Sequence, residues 1–405
     1  MRLLWKIRGV FAEDVSSKGY KYPLETSFSV RQGFQNFRDH QWRTRDVHYL
    51  VMLPILIFCF IIIENPGPLA RLGIASTLIL LCLMPVTSQF VLNFMPIGTW
   101  LILFFSCRYI PPAWRPSIFV RVLPGLENIF YGGNLSDVLA SKPNSFFDVL
   151  AWIPYGLVHF GAPFVVALIC FLFGPPYIAR VFGFAFGYMN LIGVLIQILF
   201  PNAPPWYKTL YGLKKASYDM HGSPGGLARV DKIIGIDLYT SSFTASPQVF
   251  GAFPSLHSGS AVMEALFMSY MFPSYAPLFA LYVMWIWWST MYLTHHYFVD
   301  LIGGAVLTLI VFKLCAITIL PRVQHDKFSR WAYDSVEFGQ PFTPLIRRRN
   351  STVDEEILAE YALDDDEEPL ELYPISNRDD ACLVSRTSAQ LLRSNTPTPL
   401  SPTLH

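Results

Sequence analysis

Charged residues are scarce in this sequence, and the scarcity is uneven. Of its 405 residues only 15% are charged and 53% are hydrophobic, whereas soluble domains carry about 25% charged residues. The mean hydropathy is +0.38. The charge deficit lies between about residues 49 and 320, and both ends are polar. This pattern predicts one polytopic membrane domain with a polar head and tail, and it argues against several soluble domains.

Other absences narrow the class of function. A net charge of +1 offers no basic surface for nucleic acid. The six cysteines form no CxxC pattern, and no two of them share a loop, so neither a disulfide framework nor a zinc site is expected. The chain shows no acidic cluster at metal spacing near its candidate site, so no metal or other cofactor is expected. No N-terminal signal peptide is visible, because the first apolar run is internal.

The hydrophobic runs predict an all-α polytopic membrane protein with about eight apolar segments. Their approximate spans are 49–64, 71–86, 89–107, 149–173, 178–200, 258–272, 275–293 and 298–320.

Charge and parity predict how these segments are arranged. Nine Lys and Arg residues precede residue 49, which favours a cytosolic N-terminus. Counting crossings then puts the loops before the sixth and eighth segments on the same lumenal or external side. The predicted division is a cytosolic segment 1–48, transmembrane helices 49–107, a lumenal loop 108–148, a transmembrane core 149–321 that includes lumenal loop 201–257, and a disordered cytosolic tail 322–405.

The first chemical motif is a histidine and a carboxylate four residues apart. His296 and Asp300 lie at the N-terminal end of the last apolar segment. Residues at i and i+4 share one face of a helix, so the carboxylate can accept the Nδ1 proton of the imidazole. That contact leaves Nε2 with a lone pair for nucleophilic attack. The alternative is a histidine bonded to a backbone carbonyl at the membrane interface, with Asp300 as a helix-end charge.

The second motif lies where a loop enters the sixth segment, in the sequence PSLHSG of residues 254–259. Ser255, Ser258 and Gly259, with backbone amides at a helix start, can form a cradle for an anion. His257 is then a candidate general acid. The alternative is that Ser255 or Ser258 simply caps the helix and His257 is incidental.

Together the two motifs resemble signatures of the type-2 phosphatidic acid phosphatase superfamily, PSxHSG and SRxxxxxHxxxD. The matching positions are Ser255, His257, Ser258, Gly259, Ser289, His296 and Asp300. One position departs from the pattern, because Thr290 stands where the superfamily has a phosphate-binding arginine. In this respect the chain is similar to the sphingolipid-synthase branch, where a lipid alcohol accepts the phosphoryl group.

Longer stretches resemble the fungal inositol phosphorylceramide synthases, also called aureobasidin A resistance proteins. These stretches are Phe200–Tyr207, Phe250–Gly259 and Leu293–Asp300, within a resemblance that spans about residues 45–325. The resemblance implies a six-helix phosphatidic-acid-phosphatase-like core bundle. It also implies a Golgi membrane location with the site facing the lumen, both termini in the cytosol, and a small accessory membrane subunit. The sequence leaves the oligomeric state open.

The same resemblance implies a two-step transfer. His296 attacks the phosphorus of phosphatidylinositol, and His257 gives a proton to the departing diacylglycerol. His257 then takes a proton from the C1 hydroxyl of ceramide, which attacks the phosphohistidine. Asp300 orients His296 throughout.

The superfamily's remaining motif, KxxxxxxRP, has no clear match. Arg108 and Arg115 fit its spacing with arginine in place of lysine, but they lie two crossings too early. Lys208 lies in the expected loop without the spacing. These residues are candidates for the phosphate clamp, and ordinary interfacial cations are the alternative.

Two other functions compete with the synthase. A lipid phosphate phosphatase, with water as acceptor, is disfavoured by Thr290. A proton-coupled transporter should have inverted repeats, and no repeat is visible. Two polar residues lie inside apolar segments. We expect Glu264 to pair with a cation or shape a cavity, and His159 to be a hydrogen-bonded packing residue or to line a cavity wall.

Overall fold

The computed structural model describes residues 13–15, 21–23, 25–42, 46–324 and 326–338. Apart from a small antiparallel hairpin of β1 (Glu13–Val15) and β2 (Lys21–Pro23), the regular structure in this part of the chain is helical. The prediction of an all-α fold is therefore confirmed. Residues 339–405, most of the predicted tail, lie outside the described residues.

Sixteen α-helices and one π-helix occur in the described part of the chain. The first five are α1 (Val30–Arg38), α2 (Val47–Ile62), α3 (Pro68–Leu83), α4 (Pro85–Val91) and α5 (Met95–Ser106). The next four are α6 (Val122–Tyr131), α7 (Leu135–Ala140), α8 (Ser145–Trp152) and α9 (His159–Phe173), with a π-helix at Ile153–Val158 between the last two. Then come α10 (Ile178–Leu199), α11 (Pro205–Tyr211), α12 (Leu227–Ile234) and α13 (Tyr239–Thr244). The last three are α14 (Leu256–Met271), α15 (Ala276–Tyr292) and α16 (Phe298–Thr318). Short 3₁₀ turns lie at Cys107–Tyr109, Pro112–Trp114, Pro273–Tyr275 and Arg330–Ala332.

Among the residues that the structure describes, three helical stretches are long and apolar enough to cross a membrane: Ser145–Phe173, Ile178–Leu199 and Phe298–Thr318. Helices α3 and α4 count as a fourth if this pair, which bends by 102°, is one span. The chain is thus a membrane protein with several apolar helices. The break predicted between segments 71–86 and 89–107 lies earlier, at Met84, because Pro85 begins α4.

The central core lies among α9, α10, α14 and α16. Its buried residues are apolar and come from all four helices: Val166, Cys170, Ile178, Val181, Phe182, Ala185, Phe186, Met189, Met263, Phe267, Met271, Val311, Phe312, Cys315 and Ala316. Helix α15 packs against α14, and α5 packs against α10. Close van der Waals packing of these side chains holds the helices that carry the two motifs side by side.

The close approach of α14 and α16 depends on Gly304. A Cβ atom at this position would lie 2.1 Å from the carbonyl oxygen of Ser255, so any larger residue would push the helices apart. The hydroxyl of Thr308 lies 3.0 Å from the carbonyls of both Gly259 and Gly304. The first turn of α16 therefore lies directly against the start of α14.

The chain between residues 322 and 338 folds against the domain, which corrects the predicted start of the disordered tail at residue 322. The backbone N–H of Arg322 donates to Glu337 (2.8 Å), and the hydroxyl of Tyr333 accepts from the N–H of Gln324 (3.2 Å). Tyr333 and Val336 are buried. This stretch is charged in sequence, as a tail would be, but its charges pair within it, Arg322 with Glu337 and Lys327 with Asp334. Its Trp331 ring lies edge-on to Phe171 of α9.

Candidate active site

The structure brings the two motifs into one line of polar contacts. The Nδ1 atom of His257 lies 3.0 Å from Nε2 of His296. On the other side of His296, Nδ1 lies 3.3 Å from Oδ1 of Asp300. This second contact is close but not aligned as a hydrogen bond. All three residues are at least half-buried, and Asp300 is fully buried.

The start of α16 holds Asp300 in place. Its Oδ2 atom accepts a hydrogen bond from the backbone N–H of Tyr297 (3.1 Å) at the helix N-terminus. Its carbonyl oxygen accepts from the backbone N–H of Ser255 (3.0 Å), just before α14. A carboxylate in the first turn is also favoured by the helix dipole. The carboxylate is therefore fixed relative to both helices that carry histidines.

The three residues predicted as an anion cradle have structural partners. The Ser255 hydroxyl caps α14 by accepting from the N–H of Ser258 (3.2 Å). The Ser258 hydroxyl donates to the carbonyl of Leu301 (2.7 Å) and accepts from Nε1 of Trp287 (2.9 Å). The N–H of Gly259 donates to the carbonyl of Ser255 (3.0 Å). These groups connect α14 to α15 and α16. In this structure their contacts therefore fit the alternative in which a serine caps the helix.

The three predicted cations are engaged elsewhere. The guanidinium of Arg108 lies over the Phe105 ring, 4.7 Å from its centroid. Arg115 donates from Nε to the carbonyl of Ile110 (3.0 Å), and burial lowers the pKa of its guanidinium. Lys208 donates to Asn134 (2.9 Å) and forms an ion pair with Asp137. The structure therefore does not bring Arg108, Arg115 or Lys208 together with the histidines.

A further cation in loop 201–257, Arg229, also has a partner. Arg229 donates from Nε and Nη2 to the buried carboxylate of Asp148 (2.7–3.0 Å). The hydroxyl of Tyr292 donates to the same carboxylate (3.0 Å). This two-pronged ion pair joins α12 in the loop to α8 and α15. Thr290, at the superfamily's arginine position, is fully buried and donates to the carbonyl of Trp287 (2.9 Å).

Aromatic and imidazole rings surround His257. The Tyr155 ring is stacked on it with centroids 4.6 Å apart and planes at 21°. The His159 ring lies at the same centroid distance, tilted by 38°. Both residues come from the π-helix and the turn that follows it, a type of wide turn that is frequent at functional sites. His159 packs against the rings of Phe160 and His257, but its Nδ1 atom has no hydrogen-bond partner among the described residues, so the expectation of a hydrogen-bonded packing residue holds only for the packing.

His295, the neighbour of His296 in the chain, turns away from Asp300. Its Nε2 atom lies 2.9 Å from the carbonyl oxygen of Pro224. Burial, together with the nearby His296, lowers the pKa of its imidazole to about 3, and the contact with Pro224 opposes both effects. His295 is therefore a neutral residue that fastens the loop before α12 to the site.

Sequence reasoning missed Glu127 in α6, which is fully buried. Its carboxylate accepts hydrogen bonds from the backbone N–H groups of Phe298, at the start of α16, and Leu135 (3.0 Å), at the start of α7. Burial raises the pKa of this carboxyl, and the backbone hydrogen bonds oppose that shift. Glu127 thus supports the helix that carries Asp300. Its position in a predicted lumenal loop carried no signal of this contact.

Glu264 lies two turns below His257 in α14 and is buried. Its Oε2 atom accepts a hydrogen bond from the hydroxyl of Tyr282 (2.9 Å), and its Oε1 atom has no partner among the described residues. The expected pairing with a cation is therefore wrong: the partner is a neutral hydroxyl. Within the described ranges, no group of three or more His, Cys, Asp or Glu side chains has metal-binding geometry.

Comparison with known proteins places this geometry in a family. The family model described as PAP2 superfamily matches residues 124–314, which include both histidines and Asp300. No solved structure matches the chain.

Full-length relatives give a narrower assignment. The inositol phosphorylceramide synthase of Candida albicans is 51% identical over 315 residues, or 78% of this chain and 67% of that protein. The inositol phosphorylceramide synthase catalytic subunit of Saccharomyces cerevisiae is 52% identical over 316 residues, or 78% of each chain. The phosphoinositol dihydroceramide synthase of Bacteroides thetaiotaomicron is 32% identical over 129 residues, or 30% of this chain and 41% of that protein. The identity and coverage of the two fungal relatives show that the chain belongs to the family of fungal inositol phosphorylceramide synthases, within the PAP2 superfamily.

Proposed function

We propose that this protein is an inositol phosphorylceramide synthase that transfers phosphoinositol from phosphatidylinositol to the C1 hydroxyl of ceramide and releases diacylglycerol. The single observation that carries the proposal is the line of contacts from His257 through His296 to Asp300. It supplies an acid, a nucleophile and an orienting carboxylate in the order that transfer through a phosphohistidine requires. The names of the relatives support the choice of substrates.

In the first half-reaction, Nε2 of His296 attacks the phosphorus atom of phosphatidylinositol. The bond from phosphorus to the diacylglycerol oxygen breaks, and that oxygen takes a proton from His257, which starts the step protonated on both nitrogens. His296 now carries the phosphoinositol group on Nε2 and a proton on Nδ1. The positive charge of this imidazolium lies beside the carboxylate of Asp300, which stabilises it.

In the second half-reaction, His257 acts as the base. It takes the proton from the C1 hydroxyl of ceramide, and the oxygen attacks the phosphorus atom. The bond between phosphorus and His296 breaks, which restores both histidines to their starting protonation. The same residue thus serves as acid and then as base, so the cycle needs no net supply of protons.

Location, topology and partners are part of the proposal. We propose a Golgi membrane protein whose site faces the lumen and whose termini are cytosolic, with the division 1–48, 49–107, 108–148, 149–321 and a tail. The nine cationic residues before residue 49 support the cytosolic start. A small accessory membrane subunit is proposed from the resemblance to fungal synthases.

A transfer assay tests the function. Purified protein in detergent receives labelled ceramide and phosphatidylinositol, and the lipid products are separated. We expect labelled inositol phosphorylceramide from the wild type and none from His296→Ala. His221→Ala is the matched control, because His221 is an exposed histidine of loop 201–257 and its loss should leave the rate unchanged. Release of inositol phosphate with no ceramide product would instead identify a hydrolase.

A further inference from the structure

Among the residues that the structure describes, the candidate site has a nucleophile and an acid but no lysine or arginine at the reacting atoms. Within the described residues, no lysine or arginine forms a hydrogen bond or ion pair with His257, His296 or Asp300. Thr290 stands at the superfamily's arginine position, and its hydroxyl donates to a backbone carbonyl. The negative oxygens of the transferring group therefore need other donors, because charge that develops in the transition state must be stabilised.

Two polar groups beside His257 lack partners. The hydroxyl of Tyr155 and the Nδ1 atom of His159 are both buried, and neither has a hydrogen-bond partner among the described residues. The Tyr155 side chain is 2% exposed. Buried polar groups are nearly always hydrogen-bonded, so two buried groups without partners next to the candidate acid call for an explanation. A ligand with acceptor oxygens between the two histidines would satisfy both groups.

The positions of the two rings suit this role. Each ring centroid lies 4.6 Å from that of His257, whose Nδ1 atom faces the nucleophilic nitrogen of His296. The two residues are four apart: Tyr155 lies within the π-helix that ends at Val158, and His159 follows it directly. A phosphoryl group that enters between His257 and His296 would thus arrive beside both rings.

We propose that Tyr155 and His159 donate hydrogen bonds to the two non-bridging oxygens of the phosphodiester during transfer, in place of an arginine. This inference rests on the proposed function. It adds a reason for the departure at Thr290: a phosphodiester carries one negative charge, whereas a phosphate monoester carries up to two. Donors without a fixed charge suffice for the diester and stabilise the monoester poorly. The site therefore selects phosphodiesters over the monoesters that a lipid phosphatase cleaves.

The test separates donor loss from ring loss. Tyr155→Phe keeps the stacked ring and removes the hydroxyl, and His159→Phe keeps a ring without a donor. His159→Asn restores an N–H donor near the place of Nδ1. Tyr239→Phe is the control, because its buried hydroxyl already accepts a hydrogen bond from Trp152 (2.6 Å). The folded fraction of each variant is measured by size-exclusion chromatography, and rates are expressed per folded protein.

The main readout is the rate at which phosphatidylinositol labelled in its phosphate labels His296 in the absence of ceramide. We expect Tyr155→Phe and His159→Phe to lower this rate about 10²-fold, with half-saturation by phosphatidylinositol within about threefold of the wild type. His159→Asn should recover most of the loss, and Tyr239→Phe should retain the wild-type rate. Phosphatidic acid should be dephosphorylated at under about 1% of the rate of labelling by phosphatidylinositol.

Several results would overturn the inference. These are unchanged labelling in both phenylalanine variants, a change confined to half-saturation or to folded yield, or rapid cleavage of phosphatidic acid by the wild type. Failure of the proposed function looks different: the wild type would become labelled and lose the label to water, with no ceramide product. The labelling rates of the variants would still decide whether Tyr155 and His159 act as donors.

Discussion

Nδ1 of His257 and Nε2 of His296 lie 3.0 Å apart, so the proposed acid and the proposed nucleophile are hydrogen-bonded to each other. In-line transfer must fit a phosphorus atom and a leaving oxygen between them, which requires about 6 Å. The two imidazoles therefore separate when substrate enters. His257 is the residue expected to move, since the first turn of α16 holds Asp300 beside His296.

The role of His257 as an acid predicts a dependence on the leaving group. His257→Gln should slow labelling of His296 by phosphatidylinositol about 10²–10⁴-fold. A nitrophenyl ester of inositol phosphate releases nitrophenolate, which needs no proton, so the same variant should react with it at close to the wild-type rate. A stopped-flow absorbance burst of one nitrophenolate per enzyme measures this step.

Equal slowing with both donors would contradict the acid role. It would mean that His257 acts in binding or in positioning His296. His296→Ala serves as the blank, since it should show no burst with either donor.

Asp300 is predicted to act by holding the tautomer of His296. Asp300→Asn keeps the size of the side chain and an oxygen for the N–H of Tyr297, but it removes the charge that stabilises the phosphohistidine. We expect transfer to fall about 10²–10⁴-fold with little change in the thermal unfolding midpoint. Asp219→Asn, in the exposed part of loop 201–257, is the control. A matching loss of midpoint and rate would point to a structural role instead.

Apolar runs predicted the helical fold, because they are local patterns, whereas crossing parity and the family resemblance predicted the meeting of the two motifs. His296 and Asp300 are in contact, but His296 lies just before α16, so the contact spans the start of the helix and not one face of it. The supporting contacts could not be predicted. Glu127 lies 171 residues from Phe298, whose N–H it accepts, and nothing in the sequence near either residue marks such a pair.

The predicted phosphate contacts show the same limit. Spacing alone selected Arg115 and Lys208, but a cation's partner depends on what the folded chain places beside it. Arg115 binds carbonyls at the end of α5, and Lys208 binds α7. Conversely, nothing in the sequence distinguishes Tyr155 from the other residues of its apolar segment. In the structure, the π-helix stacks its ring on His257.

Gly304 is predicted to be essential for the distance between α14 and α16. Gly304→Ala would put a methyl group 2.1 Å from the carbonyl of Ser255, so the helices must separate. We expect a loss of about 1–3 kcal/mol in the free energy of unfolding and at least a tenfold loss of transfer per folded protein. Gly161→Ala in α9 is the matched control, because no atom lies within 4 Å of its added Cβ. Denaturant titration in detergent and the transfer assay measure the two effects, and equal behaviour of the two variants would refute the packing argument.

The burial of His295 predicts that the stability of the loop contact falls in acid. Burial lowers its pKa to about 3, below the value of about 6.5 in an unfolded chain. The unfolded state therefore binds more protons between these two values, so the contribution of His295 is complete above about pH 6.5 and is lost as the pH falls toward 3.

His295→Gln keeps a donor for the carbonyl of Pro224 but does not titrate. The free-energy advantage of the wild type over this variant should shrink by about 2 kcal/mol between pH 7 and pH 5, as measured by denaturant titration in detergent. The exposed His221, replaced by Gln, is the control and should leave the pH dependence of the wild type unchanged. A constant difference between the wild type and His295→Gln across this range would show that His295 is not held neutral by burial.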